Sequence, residues 1–326
     1  MRRHVELSAA CAAALLGACR ASEVASPAGL PAPPIGESIV VCGERIPIGA
    51  PVVLWTDPGG YSAYSTELRF PEEAPAQAAS GLRYRPGREG MPTQGDCRAQ
   101  LAGAVDLLVV HYDACGTSRR CFQVLHDRRG LSAHFLLDLD GTLYQTLDLA
   151  DTAWHARQAN PRSVGVEIAN IGAYPPGGDS PLEEWYGHDE HGARVTLPPR
   201  LGDGDLRTPG FVARPARKGR IEGRIQRERL EMHDYTSEQY ESLARLAAAL
   251  CRLFPAIEPD APRGSDGAVR GDALADGELR AFRGILGHFH VTAEKRDPGP
   301  AFDWEAFLAR VRRLLRPRPT SARAAG

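Results

Sequence analysis

The segment GHFHVTAEKRDPGPAFDW, near the carboxyl end of the chain, concentrates residue types that bind metals and move protons. It contains His288, Lys295 and Asp297, and a Pro-Gly pair follows the aspartate directly. A further imidazole, His111, ends the apolar run VDLLVVH. Two imidazoles and one carboxylate would give Zn²⁺ three protein ligands and leave a fourth position for water. The pattern therefore predicts a hydrolytic zinc site formed by His111, His288 and Asp297.

The segments that must position these residues predict a mixed α/β fold. VDLLVVH is a continuous apolar run, typical of a strand buried on both faces, and it places His111 at the strand end. NPRSVGVEIAN predicts a second strand, with Glu167 on the face opposite its valines. An Asp-Gly pair between two apolar runs predicts a hairpin, and Thr236 begins a capping box before a long helix. The last strand is expected in RGILGHFH, where strand spacing would put His288 and His290 on one face.

Two long segments fall outside this core pattern. Residues 37–100 contain the short strands ESIVVCG and PVVLW and predict an N-terminal β-rich extension without evident chemistry. Residues 171–234 are rich in Gly, Pro and charged residues and lose periodicity, which indicates a long insertion. A final helix is expected at 304–315, and the tail at 316–326 should be flexible. We therefore expect one domain over residues 37–315.

The beginning of the chain predicts export. Residues 1–19 have a short basic start, an apolar run too short to span a bilayer, and a terminal Leu-Gly-Ala-Cys. That ending resembles a bacterial lipobox, which implies cleavage before Cys19 and acylation of this cysteine. Residues 20–36, rich in Ala, Pro and Ser, suit a spacer from an anchor. We expect a protein of the periplasm or cell envelope that is lipid-anchored to a membrane, with an ordinary secretory peptide as the alternative.

Charge and cysteine content narrow the possible partners. A net charge of −2, a pI near 6.6 and intermixed acidic and basic residues give no signature of nucleic-acid binding. After removal of the signal and lipidation, five cysteines remain: Cys42, Cys97, Cys115, Cys121 and Cys251. Exported cysteines are expected to pair, and Cys115 and Cys121 are close enough in sequence to bridge a small loop. An odd number leaves at least one thiol free or paired between molecules, and the pairing stays open.

Four blocks of sequence resemble a known family. VVHYDACG, SAHFLLDLDGTLYQ, AWHARQANPRSVGVEIAN and GHFHVTAEKRDPGPAFDW occur in the order found in type 2 N-acetylmuramoyl-L-alanine amidases and peptidoglycan recognition proteins. The resemblance covers about residues 105–170 and 235–304. It implies a mixed central β-sheet flanked by helices and one Zn²⁺ held by His111, His288 and Asp297. It also implies hydrolysis of the peptidoglycan amide between N-acetylmuramic acid and L-alanine.

The resemblance extends to two catalytic positions. Glu167 matches the carboxylate proposed as general base, able to pass a proton from water to the leaving amine. An orienting role is the alternative for Glu167. Some relatives carry a tyrosine at the position of Ala133, and its absence here makes Glu167 the stronger candidate. Lys295 matches the lysine thought to stabilise the oxyanion, against the alternative of an exposed lysine without a role.

The family pattern also suggests groove and loop residues. His155, Asn160 and Arg162 are expected to line the substrate groove, with Arg162 as a clamp for a stem-peptide carboxylate. Recognition proteins carry two cysteines at the spacing of Cys115 and Cys121 just after the first histidine. The resemblance therefore implies a disulfide there that braces the loop.

Two alternative functions stay open. A recognition protein would bind muropeptides without cleaving them, although loss of a zinc ligand usually marks such relatives and all three ligands are present. An amidase or peptidase with another substrate is the second alternative, because the insertion at 171–234 is long enough to cover or reshape the groove. Stem-peptide type and oligomeric state are not given by the sequence.

Overall fold

The computed structural model describes most of the predicted domain. The described residues are 36–71, 79–91 and 95–317. The predicted signal with Cys19, nearly all of the linker at 20–36 and the tail from residue 318 lie outside them. In the described ranges, no helix combines the length and apolar character needed to cross a membrane.

A mixed sheet forms the centre of the structure. The strands are, in chain order, β1 (Gly36–Val41), β2 (Glu44–Leu54), β3 (Tyr84–Arg85), β4 (Leu107–Tyr112), β5 (Phe135–Leu137), β6 (Leu143–Gln145), β7 (Thr152–Ala153), β8 (Ser163–Ile168), β9 (Tyr186–Asp189), β10 (Gly192–Val195), β11 (Arg220–Ile225), β12 (Glu228–His233) and β13 (Gly284–Gly287). Seven of them form the main sheet in the order β1-β2-β6-β5-β8-β4-β13. Strands β5, β8, β4 and β13 run parallel to one another, whereas β5 and β6 are the antiparallel hairpin predicted from the Asp-Gly pair.

Helices flank this sheet, so the predicted fold class is confirmed. They are α1 (Cys97–Ala104), α2 (Ser118–Phe122), α3 (Leu182–Trp185), α4 (Ser237–Leu253), α5 (Asp276–Ala281), α6 (His288–Val291) and α7 (Trp304–Leu315). A π-helix at Gln123–Arg129 continues α2. Helix α4 begins with the predicted capping box, in which Thr236 Oγ1 accepts from the Gln239 amide at 3.0 Å. Asp303 caps α7 through the Ala306 amide at 3.1 Å, and α7 ends as predicted at residue 315.

Strand β4 is buried on both faces, as its apolar run predicts. Leu108 and Val110 belong to the largest apolar cluster, which also contains the inner faces of α4 and α7. Leu107 and Val109, on the other face, pack in a second cluster with α5. Because side chains alternate along a strand, this partition means that both faces of β4 are covered. His111 therefore emerges from the most enclosed strand of the sheet.

The N-terminal extension is part of the main sheet. β1 and β2 pair antiparallel, and β2 adds parallel to β6 through Val52 and Leu143. A disulfide between Cys42 and Cys97 joins the β1–β2 turn to the start of α1. By closing a long stretch of chain, this bond limits the freedom of the unfolded extension.

The disulfide expected between Cys115 and Cys121 is not present. Both residues carry free thiols, and Cys121 is buried beside Phe122. Burial, aided by the nearby Asp113 carboxylate, raises the pKa of both thiols above its usual value. Because the thiolate is the species that attacks a disulfide, two protonated thiols, one half-buried and one buried, are poor partners for exchange.

The insertion contains regular structure, whereas the sequence suggested a loss of periodicity. β9 and β10 form one antiparallel hairpin, and β11 and β12 form another. Leu182, Trp185 and Tyr186 bury their side chains around Ile171 and give the first hairpin a small core of its own. The second hairpin alternates exposed and more buried residues along RIEGRI, which is strand periodicity that its charged composition concealed.

The segment RGILGHFH also differs from the sequence prediction. β13 ends at Gly287, and His288 opens the single helical turn of α6. His290 consequently does not share a strand face with His288. Its Nδ1 accepts from the Gly287 amide at 2.9 Å, and its Nε2 donates to the Arg270 carbonyl at 2.8 Å. His290 is thus a buried structural residue that holds the turn.

Candidate active site

Three parallel strands bring the candidate catalytic residues to one edge of the sheet. His111 in β4 lies directly opposite Glu167 in β8. Gly287, the last residue of β13, pairs with Val110 of β4, so His288 follows beside His111. The carboxyl ends of parallel strands are where open α/β sheets place their sites.

His111, His288 and Asp297 converge on one point. The two Nδ1 atoms are 3.0 Å apart, and each lies 2.9 Å from Asp297 Oδ2. All three residues are buried, and they are the one group of this kind among the described residues. Tetrahedral Zn²⁺ with bonds of about 2.0–2.1 Å would have ligand atoms roughly 3.3 Å apart. The three donors therefore fit a zinc ion, which would also separate two ring nitrogens that otherwise face each other.

The protonation states of His111 and Asp297 suit metal binding. Burial, together with the neighbouring His288, lowers the pKa of His111 to about 4, so its imidazole is neutral at pH 7. Burial alone would raise the pKa of Asp297, but hydrogen bonds with His111 and His288 outweigh it and hold that pKa below the usual value. Neutral imidazoles and ionised carboxylates are the forms that coordinate metals.

A tight turn holds Asp297 in place. The Phe289 amide donates to the Asp297 carbonyl at 3.1 Å, and Tyr235 Oη donates to the Pro298 carbonyl at 2.7 Å. Gly299 has a φ of +81°, and a Cβ there would lie 2.5 Å from the Met232 sulfur. The Pro-Gly pair after the aspartate thus serves the close packing of this turn.

His155 lines the cleft, as expected from the sequence, and its ring also contacts His111. His111 Nε2 is 3.0 Å from His155 Nδ1, and His155 Nε2 is 3.2 Å from Ser163 Oγ. A metal on His111 Nδ1 leaves the ring proton on Nε2, which then donates to His155 Nδ1. His155 in turn donates from Nε2 to Ser163. Gly165 makes room for this ring, since a Cβ there would lie 2.5 Å from His155 Nδ1.

Glu167 is an almost buried carboxyl beside the three candidate metal ligands. Its side chain is 11% exposed, and Oε1 lies 3.9 Å from His111 Nδ1. Burial, followed by the negative charges of Asp297 and Asp113, raises the pKa of Glu167 well above its usual value. A carboxyl with a raised pKa holds a proton more tightly than an exposed carboxyl, which suits a group that accepts a proton and later returns it.

Lys295 lines the same cleft as the candidate metal ligands and Glu167. It lies in the segment between α6 and Asp297, and its amide donates to the Thr292 carbonyl at 3.2 Å. No hydrogen bond or ion pair ties its ammonium group to another described residue. Its positive charge is therefore available to a ligand in the cleft.

Comparison with known proteins identifies the family. The model of the N-acetylmuramoyl-L-alanine amidase family (Amidase_2) matches residues 101–300, well over half of the 326 residues. The chain belongs to this family. No curated protein compared with the chain matches it significantly.

Solved amidase structures show limited similarity to the chain. A selenomethionine derivative of AmpD shares 22% identity at a TM-score of 0.31, covering 71% of this chain and 95% of that one. AmiD from E. coli, in complex with anhydro-N-acetylmuramic acid-L-Ala-D-γ-Glu-L-Lys, shares 16% identity at a TM-score of 0.37, covering 68% and 61%. LysC from Clostridium intestinale shares 14% identity at a TM-score of 0.34, covering 65% and 88%. Family membership rests on the match over residues 101–300.

Two residues expected in the substrate groove of this amidase family member have structural roles instead. Arg162 contacts Asp106 at 2.6 Å and donates to the Leu279 and Phe282 carbonyls at 3.0 and 2.6 Å. It precedes β8 and therefore lies at the opposite end of that strand from Glu167, so it does not line the cleft. Asn160 accepts from the His155 and Ala156 amides at 3.1 and 2.6 Å and holds the loop before β8.

Sequence reasoning missed Arg129 and Trp154, which both line the cleft. Arg129 ends the π-helix after α2, is exposed, and forms no hydrogen bond or ion pair with another described residue. Its charge reaches the site, because it opposes the rise in the pKa of Glu167. A free guanidinium at the cleft wall can pair with a carboxylate of a bound ligand, the role expected of Arg162. In the sequence, Arg129 stands out only as the second of two arginines, Arg128 and Arg129, at the end of a helical segment.

Proposed function

We propose that this member of the amidase family is a zinc-dependent hydrolase that cleaves the amide between N-acetylmuramic acid and L-alanine in peptidoglycan. The observation that carries the proposal is the convergence of His111 Nδ1, His288 Nδ1 and Asp297 Oδ2 within 3.0 Å beside Glu167. Zn²⁺ bound there would supply Lewis acidity and lower the pKa of a water ligand toward 7.

The residues around the metal ligands have the chemistry that amide hydrolysis requires. Glu167 faces the ligands with a raised pKa, so it is placed to accept the proton of the attacking water and return it to the leaving amine. Lys295 offers an unpaired cation to the oxygen that becomes negative as the carbonyl is attacked. Arg129 and Trp154 form part of the wall that would contact the substrate.

These same residues favour catalysis over muropeptide recognition alone. A binding module needs the groove, but it has no need of a buried carboxyl with a raised pKa beside the metal ligands. The cleft is lined by residues from 111–167 and 288–297, and none of the lining residues comes from the insertion at 171–234. The structure of the insertion therefore does not support the alternative in which the insertion reshapes the groove for a different substrate.

The test is mass spectrometry of products released from purified peptidoglycan by a soluble form that begins after Cys19. We expect free stem peptides beginning with L-alanine, lost with a chelator and restored by added Zn²⁺. Glu167→Gln should lower kcat by a factor of about 100 to 10,000, because it removes the proton acceptor without removing a metal ligand. Binding of muropeptides by the wild type without release of peptides would instead establish a recognition protein.

We also propose that the protein is exported and anchored by a lipid on Cys19. The lipobox-like ending of residues 1–19 supports this, and so does the Cys42–Cys97 disulfide, since such bonds persist in oxidising compartments. Labelling of cells with a radioactive fatty acid should mark the wild type and not Cys19→Ala. Equal labelling of the two would contradict the proposed anchor.

A further inference from the structure

The β11–β12 hairpin of the insertion ends in an unusual turn. Gln226 and Arg227 connect the two strands, and both have positive φ values, +51° and +69°. Two-residue hairpin turns of this kind favour asparagine and glycine, because larger side chains are disfavoured at positive φ. A glutamine at this position suggests that its side chain has a function there.

Gln226 binds the segment that carries His288. Its Nε2 donates to the Phe289 carbonyl at 2.7 Å and to the Thr292 carbonyl at 3.3 Å. Its Oε1 accepts from the Ala273 amide at 3.2 Å. One half-buried side chain thus spans both ends of the single helical turn α6, which begins at His288.

The same hairpin contacts the segment that carries Asp297. Glu228 forms an ion pair with Arg296 at 2.6 Å, and Arg296 immediately precedes Asp297. Gly223 lies so close to Pro300 that a Cβ at Gly223 would approach the proline Cβ to 2.7 Å. The hairpin therefore lies along both flanks of the segment from His288 to Pro300.

The orientation of the His288 ring depends on this backbone support. The outer nitrogen of His111 is held by His155 at 3.0 Å, whereas the buried Nε2 of His288 has no hydrogen-bond partner among the described residues. A ligand without such a partner is oriented mainly by the backbone from which it projects. That backbone is α6, the turn that Gln226 holds.

We propose that the β11–β12 hairpin is a positioning element that presets His288 and Asp297 for metal binding. The hairpin contributes no residue to the cleft. It acts through the two ligands, with Gln226 as the main contact and the exposed Glu228–Arg296 pair as the weaker one. This inference rests on the proposed metal site and assigns a role to the insertion.

The test compares Gln226→Ala with Arg229→Ala in the purified full-length protein. Arg229 pairs with Glu222 on the same hairpin, and the pair touches neither ligand-bearing segment, so Arg229→Ala is the matched control. Zn²⁺ affinity is measured by competition with a chromophoric chelator, alongside kcat and KM at saturating Zn²⁺ and thermal unfolding. We expect Gln226→Ala to bind Zn²⁺ about tenfold more weakly, as for other residues that support metal ligands. Arg229→Ala should match the wild type, and saturating Zn²⁺ should restore most of kcat in Gln226→Ala with KM unchanged.

A second variant keeps the inference testable if Gln226→Ala does not fold. Glu228→Lys places two cations together on an exposed surface, and it should weaken Zn²⁺ binding about threefold without unfolding the protein. If folded Gln226→Ala binds Zn²⁺ with wild-type affinity, the inference is overturned. If only Glu228→Lys folds, wild-type Zn²⁺ affinity in that variant overturns it. His288→Ala separates this failure from failure of the proposed function. If it binds Zn²⁺ as the wild type does, the metal site itself is wrong and both proposals fall.

Discussion

His155 makes a hydrogen bond that depends on which nitrogen of His111 carries the proton. The two rings meet at 3.0 Å through His111 Nε2 and His155 Nδ1, and His155 Nε2 lies 3.2 Å from Ser163 Oγ. With His111 Nδ1 directed at a metal, the proton on Nε2 is donated to His155. Replacing His155 with alanine removes this acceptor and leaves His111 free to turn or to take the other tautomer.

The expected loss follows from one hydrogen bond and its orienting effect. A hydrogen bond contributes about 1 kcal/mol net, and loss of a residue that orients a metal ligand weakens metal binding roughly 10- to 100-fold. We expect His155→Ala to weaken Zn²⁺ binding about tenfold, equivalent to about 1.4 kcal/mol. His155→Asn should recover part of the loss, because its amide oxygen reaches about as far from the backbone as the imidazole Nδ1.

Chelator competition and steady-state kinetics separate this role from substrate binding. A residue that orients His111 changes Zn²⁺ affinity and leaves KM at saturating Zn²⁺ nearly unchanged. A residue that contacts substrate, as the sequence suggested for His155, raises KM and leaves Zn²⁺ affinity unchanged. Normal Zn²⁺ affinity in a folded His155→Ala would refute the orienting role.

Three further substitutions test other parts of the structure. Arg129→Ala should raise KM about tenfold with kcat within about twofold, since it removes an ion-pair partner for a substrate carboxylate; a loss confined to kcat in steady-state assays would contradict this. Replacing Cys42 and Cys97 with serine should lower the free energy of unfolding by about 4 kcal/mol, given the separation of 55 residues, and urea denaturation would measure it. Burial lowers the pKa of His290 to about 3, below the unfolded value near 6.5. The unfolded state therefore binds more protons between these values, and stability falls as pH drops below about 6.5, by up to about 1.4 kcal/mol per pH unit. His290→Asn should flatten this part of the stability profile, and an unchanged slope would show that another group is responsible.

Two candidate site residues could be located from the sequence because they end or interrupt strongly patterned segments. His111 ends an apolar run that is typical of a buried strand, and Glu167 interrupts the burial pattern of a neighbouring strand. In the structure these two residues are direct partners across the parallel pair β4 and β8. Apolar periodicity fixes such positions because it determines both the strand and the face from which each side chain projects.

The family pattern suggested Arg162 as a groove residue, and the structure contradicts this prediction. It precedes β8, whereas the cleft lies beyond the carboxyl end of that strand, five residues further along the chain. At about 3.3 Å per residue, the two ends are roughly 16 Å apart. The direction of β8 alone excludes Arg162 from the cleft, and that direction follows from the order of the residues in the sequence. Arg129 could not be found in the same way, because its place depends on how the helical segment packs over the sheet.

Neither the Cys42–Cys97 pairing nor the strands of the insertion could be predicted from local sequence patterns. Cys42 and Cys97 are joined across 55 residues, and no local pattern links a turn in the extension to the start of α1. In the insertion, strand β11 has an alternating burial pattern built mostly from charged and small residues. A segment of that composition is predicted as a loop when composition alone is considered.

The two halves of the proposed metal site depend on different kinds of support. His111 projects from β4, a strand whose neighbours on both sides hold it by regular hydrogen bonds. His288 and Asp297 lie on a segment whose only regular structure is one helical turn, so their positions depend on contacts from outside that segment. Tyr235 supplies one contact through the Pro298 carbonyl, and Gln226 supplies another from the tip of the insertion. Changes in the insertion should therefore tune metal affinity while leaving every residue that lines the cleft in place.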